Sequence, residues 1–166
     1  MARIMFKGIW EYCKVLEKLK DEKNDVIKSA VYRGAAIVAD EIKAGLKTLP
    51  IEEGPNGLPP VGTPEKKLKG VSRRQKADLI DSFGLAPIRN DNGYIQTKAG
   101  VEGYGSVPTR NYPKGTPNVA LMRSIESGTS FREKHPIFRQ ATNRAKKRAV
   151  AAMQESLDEQ LGKRFK

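Results

Sequence analysis

The sequence predicts an α+β fold, with a long N-terminal helix, a small antiparallel β unit with extended loops, and a C-terminal helix pair ending in a long amphipathic helix. Three observations lead to it. Apolar residues recur at helical spacing near both ends, a hairpin turn signal lies between two β-like runs, and segments rich in proline and glycine separate these parts. With 166 residues, 38% of them hydrophobic, we expect a single domain over residues 1–166 with a modest core.

Two helices are predicted in the N-terminal part of the chain. Apolar residues at helical spacing indicate the first over Met1–Lys20, and the polar stretch DEKND is expected to interrupt it. The second carries an apolar face over residues 27–46, and either Asn24 or Asp25 is a plausible N-cap because its side chain can accept a backbone N–H.

Gly34 lies in the middle of the second predicted helix. A glycine there costs roughly 1 kcal/mol relative to alanine, so we expect another element to pack closely against it. Pro50 is expected to end the helix, because the residue before a proline is pushed out of the helical region.

Two long segments lack any apolar periodicity. Residues 51–70 read IEEGPNGLPPVGTPEKKLKG and are predicted to form a flexible arm; we call them the arm. Residues 103–115, rich in glycine, proline and tyrosine, are predicted to form a second loop, and we keep that name for them. Long segments of this kind within a domain are usually functional or disordered. We therefore expect both to reach neighbouring subunits.

A short helix and a hairpin are predicted between the arm and the second loop. Ser72 and Gln75 have the spacing of a capping box, which indicates a helix that begins at the next residue. Two strands are expected over about 84–89 and 93–102. The sequence NDNG between them favours a tight turn, because asparagine and glycine tolerate positive φ.

Two helices are predicted after the second loop. Thr116 and Pro117 suggest an N-cap followed by a proline in the first helical position, and Gly128 is expected to end this helix in the left-handed conformation. The last helix is expected from near Pro136 to about Leu161. Its apolar face comprises Phe138, Ala141, Ala145, Ala149, Ala152, Met153, Ser156, Leu157 and Leu161.

The motifs that carry common enzymatic chemistry are missing from the sequence. It contains no CxxC, HExxH, GxxxxGK[ST] or GxSxG. The single histidine, His135, precedes Pro136 and is interpreted as a helix-entry residue; the alternative, a proton shuttle, needs an orienting partner. An acid/base pair of Glu126 and Asp81 is the weaker alternative to two solvated charges. We expect no catalytic residues, no cofactor and no metal site.

Positive charge is concentrated near the C-terminus. The net charge is +12, and the last fifty residues contain eleven basic and five acidic side chains. A basic group lies in the first half of the last helix, on the side away from its apolar face, although the helix dipole favours anions there. Three interpretations remain open: a solvated face, an acidic surface on a neighbouring subunit, or passing DNA. The group comprises Arg139, Arg144, Lys146, Lys147 and Arg148.

Three stretches, in this order, resemble the tail-completion family (minor tail/neck, head–tail joining proteins) of long-tailed bacteriophages and prophages. They read RGAAIVADEIKAGL, KADLIDSFGLAPI and ALMRSIESGTSFREKHPIFRQATNRAKKRAVAAM, and together span about residues 30–153. Departures are Ser127, where an aromatic often precedes the glycine, Gln140, where a proline is expected, and the length of the arm and second loop. The family positions are held by Asp78, Leu79, Ser82, Glu126, Gly128, Thr129, Pro136, Phe138 and Ala141.

The resemblance implies a non-enzymatic virion component that forms a homo-oligomeric ring at the head–tail junction. Implied partners are the connector or stopper, tail terminator and tail tube proteins. The implied location is the neck or tail of the virion, with the host cytoplasm as the site of assembly. Alternatives are a tail terminator that caps the tail tube and a small basic nucleic-acid-binding protein.

Five residues of the stretch SIESGTSFREKHPIFRQAT are interpreted as a junction between the last two helices. They are Glu126, Gly128, Thr129, Pro136 and Phe138.

No run of apolar residues is long enough to span a membrane, and the first residues carry charges throughout, unlike a secretory signal. The lone Cys13 fits a reducing compartment, and no membrane contact is expected.

Overall fold

A computed structural model describes residues 9–109 and 111–164, with side-chain surroundings for residues 22–109 and 111–163. The fold is α+β, as the sequence predicts. In chain order, the helices and strands of this part are α1 (Ile9–Lys47), a 3-10 turn (Pro55–Gly57), α2 (Arg73–Asp81), β1 (Phe83–Leu85), β2 (Arg89–Asp91), β3 (Tyr94–Gln96), β4 (Ala99–Val101), α3 (Asn118–Ser127) and α4 (Ile137–Arg164).

The two predicted N-terminal helices are one helix, so the predicted interruption at DEKND is wrong. Helix α1 continues through this stretch, and both proposed N-caps, Asn24 and Asp25, lie inside it. Aspartate and asparagine in a helix cost less than about 1 kcal/mol each, too little to stop it without a glycine or proline. Asp25 also accepts a bond from Lys28 at 2.9 Å, one turn along. The part of the prediction at residues 1–8 lies outside the described residues.

Helices α1 and α4 pack against each other in antiparallel orientation. Residue 34 of α1 lies beside residues 149 and 153 of α4, and residue 45 lies beside Ile137. A Cβ atom on Gly34 would lie 2.5 Å from Met153 Cγ and 3.3 Å from the Ala149 carbonyl oxygen. The close packing expected at Gly34 is therefore confirmed, because only glycine leaves room for this approach.

The core lies where α1, α2, α3, α4 and β4 meet. Leu46 of α1 and Leu79 of α2 are fully buried there, and Ile125 of α3 lies beside them at 1% exposure. On α4 the alanines in the first half of the predicted apolar face are buried, while Leu161 near the end of the helix is partly exposed. The remaining core members are Ile42, Leu49, Val71, Val101, Leu121, Met122, Ile137 and Ala141.

The β unit is a hairpin in which each side consists of two short strands separated by a gap. Strand β2 pairs with β3 next to the turn, and β1 pairs with β4 farther away, both in antiparallel orientation. Asn92 and Gly93 have φ values of 54° and 93°, so the predicted turn is confirmed. The predicted continuous strands are each split in two. Pro87, which lacks an N–H to donate, lies in one of the gaps.

The start of α2 agrees with the prediction, whereas the start of α3 differs by one residue. The Gln75 N–H donates to Ser72 Oγ at 3.3 Å and the Ser72 N–H donates to Gln75 Oε1 at 3.2 Å, which completes a capping box. Helix α3 instead begins at Asn118, with Pro117 in the N-cap position and no side-chain cap. The proposed cap Thr116 has a buried hydroxyl that makes no hydrogen bond within the described residues.

Candidate functional site

The junction between α3 and α4 is held by a carboxylate. Glu126, in the last turn of α3, accepts the Phe138 N–H at 2.9 Å with Oε2 and the Arg139 N–H at 3.0 Å with Oε1. These are among the first N–H groups of α4, which have no partner inside their own helix, and a negative charge is favourable at that end. Phe138 also contacts Phe83 edge-on, at 5.9 Å between ring centres. Glu126 thereby caps one helix from the helix before it.

Gly128 ends α3 with a backbone conformation that side chains resist. Its φ of 73° is positive as expected, but its ψ of 167° lies outside the predicted left-handed helical region. A Cβ here would lie 3.3 Å from both the N and Cα atoms of Lys134. The chain beyond it turns tightly, since the Thr129 N–H donates to the Arg132 carbonyl oxygen at 3.0 Å. The Thr129 hydroxyl is buried without a partner within the described residues.

His135 and Pro136 form the entry to α4. The His135 N–H donates to the Ile125 carbonyl oxygen at 2.7 Å, which fastens the entry to α3. The Pro136 carbonyl oxygen accepts the Gln140 N–H at 3.0 Å, so proline occupies the N-cap position. The His135 Nε2 atom is buried and makes no hydrogen bond within the described residues. It therefore lacks the carboxylate that a proton shuttle would need for orientation.

The basic group on α4 divides into two parts. Arg144 Nε lies 3.1 Å from Glu41 Oε1 and Arg148 NH2 lies 2.5 Å from Glu41 Oε2. Both arginines therefore reach the acidic side chain of α1, while their own side chains stay 59% and 62% exposed and lie at the edge of the helix pair, outside the core. The sequence separation of about a hundred residues hides this pairing, because only the packing of α1 on α4 brings the three side chains together.

The other three basic residues face solvent. Arg139, Lys146 and Lys147 are exposed and make no ion pair with any side chain that the structure describes. They form an outward positive surface on α4, and Arg139 lies next to the capped end of the helix.

Two adjacent glutamates fasten the arm at its beginning and end. Glu52 Oε2 accepts the N–H groups of Lys69 at 2.7 Å and Gly70 at 3.0 Å. Glu53 Oε1 accepts the N–H of Arg73, the first residue of α2, at 3.0 Å. The arm predicted to be flexible is thus closed at its base, while most of residues 61–67 are exposed.

Arg132 is a structural residue that the sequence reasoning missed. It is only 6% exposed and donates from NH1 to the Gly70 carbonyl oxygen. Burial lowers the pKa of its guanidinium from the ordinary value, and nearby Glu52 acts in the opposite direction. Arginine remains charged at neutral pH in proteins, so a cation is held beneath the arm. The polar stretch FREKHP around it contains no local signal of burial.

A groove of about 780 Å³ lies between the arm, the second loop and α3. Its walls are Val61 of the arm, Tyr112 of the second loop and Phe131, with Leu121 at the side of α3. Arg132 also lines the groove. The two segments that sequence analysis singled out for their length therefore face one another across a shared apolar depression.

The described residues contain no candidate metal centre. In residues 22–109 and 111–163 there is no cluster of three or more His, Cys, Asp or Glu side chains suited to a metal ion. None of the helices in this part of the chain has the length and hydropathy required to cross a bilayer. Comparison of the chain with protein-family models, with curated proteins and with solved structures finds no match.

Proposed function

We propose that this protein is a structural virion protein of a tailed bacteriophage. It acts as a tail-completion or neck component that assembles as a ring at the head–tail junction and joins the tail to the head connector. It works by assembly rather than by catalysis. The two carboxylates at positions that resemble the family, Asp78 and Glu126, accept hydrogen bonds that hold the fold together.

One observation carries the proposal. The sequence positions that resemble the family coincide with contacts that fix the path of the chain: Asp78 binds the second loop, Glu126 caps α4, and Gly128 makes the turn between α3 and α4. A resemblance limited to helical periodicity would not select these residues. The motifs that resemble the family instead lie at positions where the fold depends on particular side chains.

The exposed segments support a role in assembly. The arm and the second loop carry Ile51, Leu58 and Tyr104 at the surface, each a large apolar side chain left open to solvent outside the groove. A ring of identical subunits uses heterologous contacts, in which one patch meets a different patch on the next copy. Protruding segments with apolar side chains suit such contacts.

Deletion of the gene from the phage or prophage genome tests the proposal. We expect filled heads and separate tails by electron microscopy, and joined particles when the gene is supplied in trans. Mass spectrometry of purified wild-type particles should detect the protein. Infectious particles from the deletion strain, together with absence of the protein from wild-type virions, would rule the proposal out.

The same images separate tail completion from the alternative of a tail terminator. A protein that caps the tail tube stops its growth, so its loss should yield tails of irregular length. Loss of a completion protein should leave tails of normal length that do not join heads. Tail-length distributions in the deletion strain therefore decide between the two.

The outward cations of α4 favour a second candidate, a small nucleic-acid-binding protein. Arg139, Lys146 and Lys147 are exposed and unpaired among the described side chains, and the chain has a net charge of +12. Phosphate contacts release counterions, so DNA affinity should fall steeply between about 50 and 200 mM salt. Replacing Glu41 with Ala should raise DNA affinity, since Arg144 and Arg148 lose their common acidic partner. Salt-independent or absent binding would exclude this candidate.

A further inference from the structure

The groove between the arm and the second loop has the form of a peptide-binding site. Its volume of about 780 Å³ lies within the range of roughly 300–1,000 Å³ that is usual for ligand sites. Pro59 and Pro60 lie on the arm side, and Ala120 and Leu121 lie on the α3 side. Proline has no free φ rotation, so this part of the arm loses little entropy when a ligand binds against it.

The walls of the groove expose apolar side chains that the fold does not use. Val61 is 92% exposed, Phe131 is 45% exposed and Tyr112 is 42% exposed. All three line the groove, so their exposed surfaces lie together. An apolar surface in a concave site, with an aromatic residue on each side, is typical of a place where a partner inserts a bulky side chain.

The segments that border the groove are positively charged. Residues 59–69 and 105–116 contain five basic residues and a single acidic one, Glu65. Lys66, Lys67 and Lys114 among them are exposed. Charges at the rim of an apolar site attract an oppositely charged partner and raise its association rate. These lysines lie outside the groove lining itself, and the positive charge of the bordering segments favours a partner segment that carries carboxylates.

Buried polar groups beside the groove lack partners. The Nε atom of Arg132 and the hydroxyl of Thr116 are both buried and make no hydrogen bond within the described residues, and both residues line the groove. A buried donor without an acceptor destabilises the folded state. Both atoms lie below the accessible surface, so a ligand in the groove reaches them only after the surrounding side chains shift.

We propose that the groove binds an extended segment of another protein, in which a bulky apolar side chain is flanked by aspartate or glutamate. The apolar side chain occupies the space between Val61, Tyr112 and Phe131, and the carboxylates are attracted by Lys66, Lys67 and Lys114 of the bordering segments. A second copy of this chain is a poorer occupant of this groove, because its own segments 59–69 and 105–116 carry five basic residues and a single acidic one and so do not offer the carboxylates that the site favours. Such binding goes beyond the proposed function, since it does not depend on where the protein assembles.

Two labelled peptides test the proposal by fluorescence anisotropy with the full chain. The acidic peptide is GSDEFLEDG, and the matched basic peptide is GSKKFLKKG, which keeps the apolar centre. We expect the acidic peptide to bind at least about ten-fold more tightly at about 50 mM salt, with a smaller difference at higher salt as the charges of the bordering segments are screened. Equal affinities, or no binding of the acidic peptide up to about 1 mM, would overturn the proposal.

Paired variants locate the binding. Val61→Asp places a negative charge on the groove wall and should weaken binding of the acidic peptide about ten-fold, because like charges now face each other. Val150→Asp is the matched control: Val150 is 47% exposed and lies on α4, outside the groove residues. It should change the affinity by less than about two-fold, since it adds the same net charge elsewhere. Equal effects of the two variants would place the binding outside the groove.

Phe131→Ala separates the apolar contribution from the charge. It leaves the net charge unchanged and should lower the affinity for the acidic peptide several-fold, because contact area is lost. An unchanged affinity in this variant would contradict insertion between the groove walls.

Sedimentation of the free protein tests the other occupant: self-association that Val61→Asp abolishes would show that a second copy fills the groove, and the proposed partner would then be wrong.

Discussion

Glu126 is a single residue that fixes the direction of a helix about eight turns long. Its two carboxylate oxygens accept two N–H groups at the start of α4, while its own backbone belongs to α3. A cap that comes from the preceding helix, rather than from the residue before the first turn, links the orientations of both helices. The link is charged and short, so it resists bending at the junction.

Replacing Glu126 with Ala should lower the free energy of unfolding by about 1–2 kcal/mol, because two N–H groups lose their acceptor. Chemical denaturation followed by circular dichroism measures this change. Glu155→Ala is the matched control, since Glu155 is exposed in the middle of α4. We expect it to change stability by less than about 0.5 kcal/mol. Equal losses in the two variants would show that Glu126 does not act as a cap.

Replacing Gly128 with Val should cost about 1–3 kcal/mol and misplace α4, because a β-branched side chain resists a φ of 73° and its Cβ would lie 3.1 Å from Lys134 Cβ. Thermal unfolding and the yield of joined particles both report the effect. Gly162→Val is the control, since a Cβ at Gly162 meets no atom within 4 Å. Normal stability and normal assembly of the Gly128 variant would contradict the turn assignment.

At the scale of elements, α1 and α4 approach closely because glycine replaces a side chain at the contact. Met153 and Ala149 of α4 occupy the space that a Cβ on Gly34 would need. Farther along, Glu41 joins the two helices through Arg144 and Arg148 at their exposed edge. Exposed ion pairs contribute only about 0–1 kcal/mol, so the packing at Gly34 decides the distance between the helices.

A double-mutant cycle tests the packing at Gly34. Gly34→Ala alone should destabilise the protein by about 1–2 kcal/mol, although alanine is the better helix former, because the methyl group meets Met153. In the Met153→Ala background the same change should cost at least about 1 kcal/mol less, since the closest contacts are gone. Denaturant unfolding of the four proteins gives the coupling free energy. A coupling near zero would mean that the helices do not meet at this position.

The second loop is held to α2 by a single carboxylate. Asp78 Oδ2 accepts both the N–H of Ser106 at 2.7 Å and its hydroxyl at 3.0 Å. Asp78→Ala should therefore speed amide hydrogen exchange at Ser106 by about ten-fold while leaving α1 and α4 protected. Asp81→Ala, at the exposed end of α2, is the control. Unchanged exchange in the Asp78 variant would show that the loop is fixed by other contacts.

At the scale of the whole molecule, one core joins all the main elements. Leu46 and Leu79 come from different helices and are both fully buried, and each of α1, α2, α3 and α4 contributes to the same cluster. The arm and the second loop lie outside this cluster, apart from the arm's attachment at its base. Unfolding any one helix would expose the common core, so we expect the elements to unfold together.

Leu46→Ala should lower the stability of the whole chain by about 2–5 kcal/mol and keep a single unfolding transition. Near-ultraviolet and far-ultraviolet circular dichroism should give the same midpoint, because tertiary and secondary structure are lost together. Leu161→Ala is the control, since Leu161 is 36% exposed. Two separate transitions in the wild-type protein would contradict the single-domain prediction.

Local signals in the sequence were sufficient for several features of the fold. The capping box of Ser72 and Gln75 and the Asn92–Gly93 turn depend on neighbours within a few residues, and both are present as predicted. The glycine in the middle of α1 correctly indicated a close contact, because its cost in a helix requires compensation elsewhere. Helical periodicity likewise placed α4 within a few residues of its observed bounds.

Features that join distant parts of the chain were decided only by the tertiary structure. Glu41 meets Arg144 and Arg148, and Arg132 becomes a buried cation under the arm. These side chains are polar, and polar side chains are equally common on exposed surfaces. The local sequence therefore does not distinguish a paired or buried side chain from a solvated one. By itself the sequence determined the fold class, the hairpin turn and the capping box of α2, because these arise from interactions over a few residues. The tertiary structure decided which charges are paired and where the groove lies, because both depend on how the helices and loops pack.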